Sequence, residues 1–132
     1  MEVKELRLAA GMTQKEFAAY FGIPIHQIQH WEQGYRSPKL YVTAMMERIF
    51  YNEGVIMSNY SGKIEDICYE WVISNKTTTL IFWNKDERHI IKAKESFTDH
   101  YMMLYHKQFA EMYIEEWIGQ KKFAETARSL DY

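Results

Sequence analysis

Helical spacing in the first third of this chain is cut into short pieces at closely spaced breaks. Through residues 3–51 apolar side chains recur every three to four positions, and the pattern is interrupted at Gly11, at Gly22 with Pro24, and over 34–38. Breaks this close together predict four short helices. The first covers about residues 2–10, with Val3, Leu6 and Ala10 on one stripe and Gly11 as a left-handed stop. The second opens on Thr13-Gln14-Lys15-Glu16, a capping box in which the Thr13 hydroxyl and the Glu16 carboxylate take each other's free backbone amides. It runs from 14 to about 21, and Gly22 supplies the positive φ of a tight turn. Pro24 suits the first turn of a third helix over about 24–32, because a proline's missing N–H is not needed there. Ser37-Pro38 repeats the start signal, and Val42, Met45, Met46, Ile49 and Phe50 give a fourth helix its apolar face.

After this the period changes. Residues 52–63, NEGVIMSNYSGK, contain two glycines and several turn formers and read as a link between two modules. Ile67, Tyr69, Trp71 and Ile73 then alternate as one face of a strand, residues 77–83 are rich in β-formers, and 88–93 form a third strand, with turns at Asn75-Lys76 and 84–87. Helical spacing returns from Ser96 or Phe97 through Tyr101, Leu104, Tyr105, Gln108, Met112, Ile114, Trp117 and Ile118, with Gly119 as a break before a last short helix. The expected fold is α+β: an all-α domain of four to five helices at 1–54, then a small antiparallel three-stranded meander packed on one or two helices at 60–132.

The stretch GMTQKEFAAYFGIPIHQIQHWEQGYRSP resembles the helix-turn-helix of the XRE family, the group that includes phage Cro and repressor proteins, over about residues 3–51 and nothing beyond. Several spacings carry the resemblance together. Two helices that cross near a right angle need a small residue where their backbones approach, and Ala18 takes that place, with Gly22 making the turn four residues on. Phe17, Phe21, Ile23, Ile28 and Trp31 fall on the faces that meet.

With Ile28 and Trp31 turned inward, the third helix presents His26, Gln27, Gln29, His30 and Gln33, a polar face lacking carboxylates. Such a face suits the DNA major groove, since glutamine pairs with adenine through two hydrogen bonds and histidine donates to guanine acceptors. The resemblance implies that Ile25, His26, Gln27, Gln29 and His30 face bases, with Ile25 on a thymine methyl, and that Gln14, beside Lys15, meets a phosphate. Tyr35, Arg36 and Lys39 follow the recognition helix and are placed to grip the backbone. Glu32, by the same resemblance, is structural and holds neighbouring backbone or an arginine. Two histidines on this face predict DNA affinity that falls as pH rises through roughly 6.5. Their spacing of four would also suit a metal, but no cysteine, aspartate or third histidine is near in sequence.

The bulk numbers narrow the alternatives. Of the 132 residues, 47% are hydrophobic and 26% charged, so the chain can bury a core. The net charge of -2 excludes a generally basic coat for nucleic acid. Within residues 1–54, Lys4, Arg7, Lys15, Arg36, Lys39 and Arg48 are balanced by Glu2, Glu5, Glu16, Glu32, Glu47 and Glu53, so placement rather than total charge must bring DNA close. Cys68 is the only cysteine, which excludes an intrachain disulfide and points to a small buried thiol in a reducing cytoplasm. No apolar run approaches the ~20 residues of a membrane span, and the N-terminus lacks a signal-peptide core, so a soluble cytoplasmic protein is expected. Residues 60–132 contain no nucleophile elbow, phosphate loop or diagnostic acid pair, and His89, His100 and His106 are scattered among Tyr, Met and Lys; no catalytic role and no cofactor are expected.

The leading expectation is a sequence-specific regulator, a dimeric repressor whose C-terminal module pairs two subunits on half-sites ~34 Å apart. An alternative is an antitoxin or phage-type inhibitor whose C-terminal domain binds a protein target while the N-terminal domain regulates its own gene.

Overall fold

The computed structural model describes the backbone of residues 1–130 and the side chains of residues 1–121. Four helices come first: α1 (Val3–Ala9), α2 (Gln14–Phe21), α3 (Ile25–Gln33) and α4 (Leu40–Asn52). They are followed by strands β1 (Ile56–Ile64), β2 (Ile67–Ser74), β3 (Thr78–Trp83) and β4 (Arg88–Lys92), and by one long helix, α5 (Asp99–Leu130). The four strands form an antiparallel meander in sequence order.

The helix ends follow local chemistry. The Thr13–Glu16 capping box is formed in both directions, Glu16 N donating to the Thr13 hydroxyl at 3.1 Å and Thr13 N to the Glu16 carboxylate at 3.0 Å. Gly22 at φ 67° and Gly34 at φ 81° close α2 and α3 in the left-handed conformation. The fourth helix begins two residues later than Ser37-Pro38 suggests. Lys39 stands at its N-cap, no side chain caps it, and Met45 is exposed rather than on the apolar face.

The segment expected to link two modules is instead strand β1, which makes the meander four-stranded rather than three. It pairs with β2 from Ile56 opposite Ser74 to Ile64 opposite Ile67, with a bulge between Ile56 and Ser58. An edge strand earns its place through backbone hydrogen bonds, so Ser58, Asn59, Ser61 and Lys63 can occupy it without an apolar run. Gly62 is required there: a Cβ would lie 2.5 Å from the Tyr69 hydroxyl oxygen.

Side chains alternate across the sheet, and both faces are covered. Tyr69, Trp71, Ile73, Leu80 and Phe82 pack with Met102, Ala110 and Ile114 of α5. Val72 and Ile81 face the other way and join Ile56 with Leu6, Phe17, Ile28 and Phe50 in a second cluster, so the sheet continues the core of the helical bundle. This double coverage explains why β3 is buried on nearly every residue. An ion pair reinforces the contact, the Arg88 guanidinium of β4 meeting Glu5 of α1 while also stacking 4.5 Å from the centre of the Trp83 ring.

Helix α5 runs through Gly119 without the expected break, and its kink falls at Tyr105, at φ -131° and ψ 18°. At the next residue the sheet takes hold of the helix. Trp71 Nε1 donates to the His106 carbonyl at 2.9 Å, and the Tyr69 hydroxyl bonds His106 Nδ1 at 2.8 Å. Both bonds anchor α5 to the sheet one residue after its kink. Cys68 on β2 is half-buried and free, rather than fully buried. No helix among the described residues is long and apolar enough to cross a membrane.

Candidate nucleic-acid interface

The interface is organised from behind by one ion pair. Arg7 on α1 makes a two-pronged bond to Glu32 on α3, with Nε to Oε2 and Nη2 to Oε1 both at 2.7 Å, and its remaining nitrogen donates to the Met12 carbonyl at 3.0 Å. Both side chains are largely buried, at 12% and 5% exposure. The Gln14 amide touches the same carboxylate at 3.4 Å. One guanidinium therefore fixes the α1–α2 turn, the start of α2 and the end of α3 together, in the planar fork geometry that lysine cannot supply. It also neutralises the only carboxylate on α3. Glu32 thus holds an arginine, as the resemblance implies; Arg7 itself is not singled out by the sequence, where its one signal is a cation on α1 with no acid three or four positions away.

The outward face of α3 follows from Ile28, which is completely buried, with Trp31 half-buried beside it. Ile25, His26, His30 and Gln33 are exposed, and Gln29 is half-buried along the same side. Gln27 is also half-buried and, at 100° per residue, lies at the margin of this stripe rather than on its centre. The two imidazoles are 6.0 Å apart, and His30 meets the Tyr35 ring edge-on at 5.8 Å. His26, His30 and Tyr35 thus form an aromatic column along the face, which helical spacing alone did not reveal because Tyr35 lies beyond the Gly34 turn.

Around this face Lys15, Tyr35, Arg36 and Lys39 are exposed, and Gln14 is half-buried at the start of α2. Ile25 is 41% exposed at the N-terminus of α3. Among the described residues no group of three or more potential metal ligands comes together, so His26 and His30 remain a pair.

Two histidines of the second half, His106 and His89, are held in packing. His106 stacks on Tyr60 at 5.6 Å and bonds Tyr69, while His89 lies 4.1 Å from the Trp117 ring centre and bonds Glu87. His100 is exposed at the start of α5.

A helix-turn-helix with a carboxylate-free outward face is the architecture of a DNA-binding regulatory domain. Residues 3–42 match the family model described as helix-turn-helix, and this segment is an XRE-family helix-turn-helix. The match covers less than a third of the chain. No curated protein and no solved structure matches it.

Proposed function

We propose that the chain is a cytoplasmic, sequence-specific transcriptional regulator, acting as a dimeric repressor on a palindromic operator read by α3. The observation that carries this reading is the α3 face itself: Ile25, His26, Gln29, His30 and Gln33 lie outward, and the one acid of the helix is tied down by Arg7. Glutamines supply paired donor and acceptor groups for adenine, histidines donate to guanine, and Ile25 offers an apolar contact for a thymine methyl. Gln27 reads from the edge of the same stripe. Lys15, Tyr35, Arg36 and Lys39 grip phosphates on either side, and the start of α2 adds Gln14 and its positive dipole end.

Selection from a random DNA pool tests this. The wild type is expected to enrich one palindromic motif, and Gln27→Ala with His30→Ala to lose that motif, with affinity for the selected site falling about tenfold or more. Failure of the wild type to enrich any motif overturns the reading.

A further inference from the structure

The outer side of α5 carries a largely apolar stripe that nothing among the described residues covers. Tyr101, Leu104, Tyr105, Gln108, Met112 and Glu115 recur at intervals of three and four and lie opposite the buried Met102, Ala110 and Ile114. Tyr101, Leu104, Tyr105 and Met112 are 54%, 51%, 45% and 63% exposed. Folded domains seldom leave such a run bare without a partner. The charges beside it are arranged by sign: Lys107 precedes Glu111 by one turn on the same flank, and Glu115 lies further along. Among the described residues, Lys107, Glu111 and Glu115 have no ion-pair partner within the chain.

We propose that this stripe is the seam on which a second copy of the chain docks, the two α5 helices running antiparallel about a two-fold axis near Gln108. In that arrangement Leu104 of each copy packs on Met112 of the other, and Tyr101 meets Glu115. Antiparallel helices bring the same flank together, so Lys107 of each copy reaches Glu111 of the other, twice by symmetry. A parallel pairing would bring opposite flanks together and leave Lys107 of each copy out of reach of Glu111 of the other. The charge order therefore selects a self-complementary antiparallel match, which an unrelated partner has no reason to require.

Four aromatic or long apolar side chains of roughly 200 Å² each, about half exposed, supply roughly 400 Å² per copy. With the stems of Lys107, Gln108, Glu111 and Glu115 the pair buries about 1,000 Å² in total, the lower limit for a specific interface. The dimer is accordingly weak in isolation and gains from binding two half-sites together. Because α5 covers one face of the sheet and α1 packs against the other, pairing through α5 leaves α3 open. The seam draws its purpose from the regulator reading, though its evidence is separate.

Sedimentation equilibrium of the full chain over a range of concentrations tests it. A reversible dimer is expected, and Leu104→Glu raises its dissociation constant about tenfold or more while circular dichroism stays unchanged. Lys107→Glu and Glu111→Lys each weaken the dimer, and the two together restore it; this set carries the test even if Leu104→Glu does not fold. A chain that stays monomeric with and without DNA overturns the seam. So does a dimer indifferent to Leu104→Glu, a double charge exchange no better than either single one, or a stripe that binds only a different protein. Dissociation by Leu104→Glu in a chain that enriches no motif would sink the regulator and leave the seam standing. A selected motif with a dimer that survives Leu104→Glu would do the reverse.

Discussion

Arg7 and Glu32 illustrate how a single pair can tie stability to the placement of a helix face. A carboxylate exposed to only 5% cannot be left without its guanidinium, because water does not reach it to compensate. Arg7→Ala is therefore expected to lower unfolding stability by about 3–5 kcal/mol in urea titration. Replacing both partners together, Arg7→Met with Glu32→Leu, removes the isolated charge and recovers most of that loss. DNA affinity should nevertheless stay below wild type in the double variant, since the Gln14 amide loses the carboxylate it rests on. Recovery of affinity along with stability would show that Glu32 does not position Gln14. The same pair shows what the residue level of the sequence conceals: Arg7 and Glu32 are 25 positions apart, and only the crossing of α1 and α3 makes them neighbours.

At the scale of elements, the second helix is the most fully determined by its own residues. Its cap, its length and its glycine stop all lie within ten positions of one another in the sequence, and all are formed as local chemistry requires. Thr13→Ala should cost about 1 kcal/mol in thermal or urea unfolding. The cap also has a pH signature. The Glu16 carboxyl is held below its ordinary value, first by the Thr13 backbone amide, then by the Thr13 hydroxyl and Lys76. A lowered folded pKa favours the ionised group, so the stabilisation is complete above the unfolded value of about 4.5 and is lost as pH falls through the folded one. Melting temperatures recorded from about pH 6 down to about pH 3 should fall more steeply for the wild type than for Glu16→Gln. Equal slopes would mean that the carboxylate contributes nothing as an ion. Elements without such local signals were harder to read. β1 lacks an apolar run because its place depends on backbone pairing with β2, and α5 bends at Tyr105 rather than Gly119, next to the point where Trp71 and Tyr69 of another element hold His106.

For the molecule as a whole, the sheet is an inner layer with helices on both sides. Val72 and Ile81 share a core with Phe17, Ile28 and Phe50, and Arg88 closes on Glu5, whose carboxylate pushes the guanidinium pKa up. We expect the chain to unfold as one cooperative unit, with far-ultraviolet and near-ultraviolet circular dichroism giving coincident transitions. Arg88→Ala should lower the common midpoint, by about 2 kcal/mol of stability, without separating the two signals. Two separated transitions in the wild type would mean that the helical bundle and the sheet fold independently despite their shared core.

The helix-turn-helix, the outward side of α3 and an alternating sheet followed by a helix are all legible in local sequence. Each rests on signals a few residues apart: a capping box, a glycine at positive φ, a change of period from 3.6 to 2. That Arg7 packs behind α3 and that a polar segment becomes the edge of the sheet follow from the three-dimensional packing alone. The same packing covers both sheet faces and, among the described residues, leaves one side of α5 open. Those outcomes depend on which distant surfaces meet, and hydrophobic spacing along a chain says that a face must be buried without saying against what.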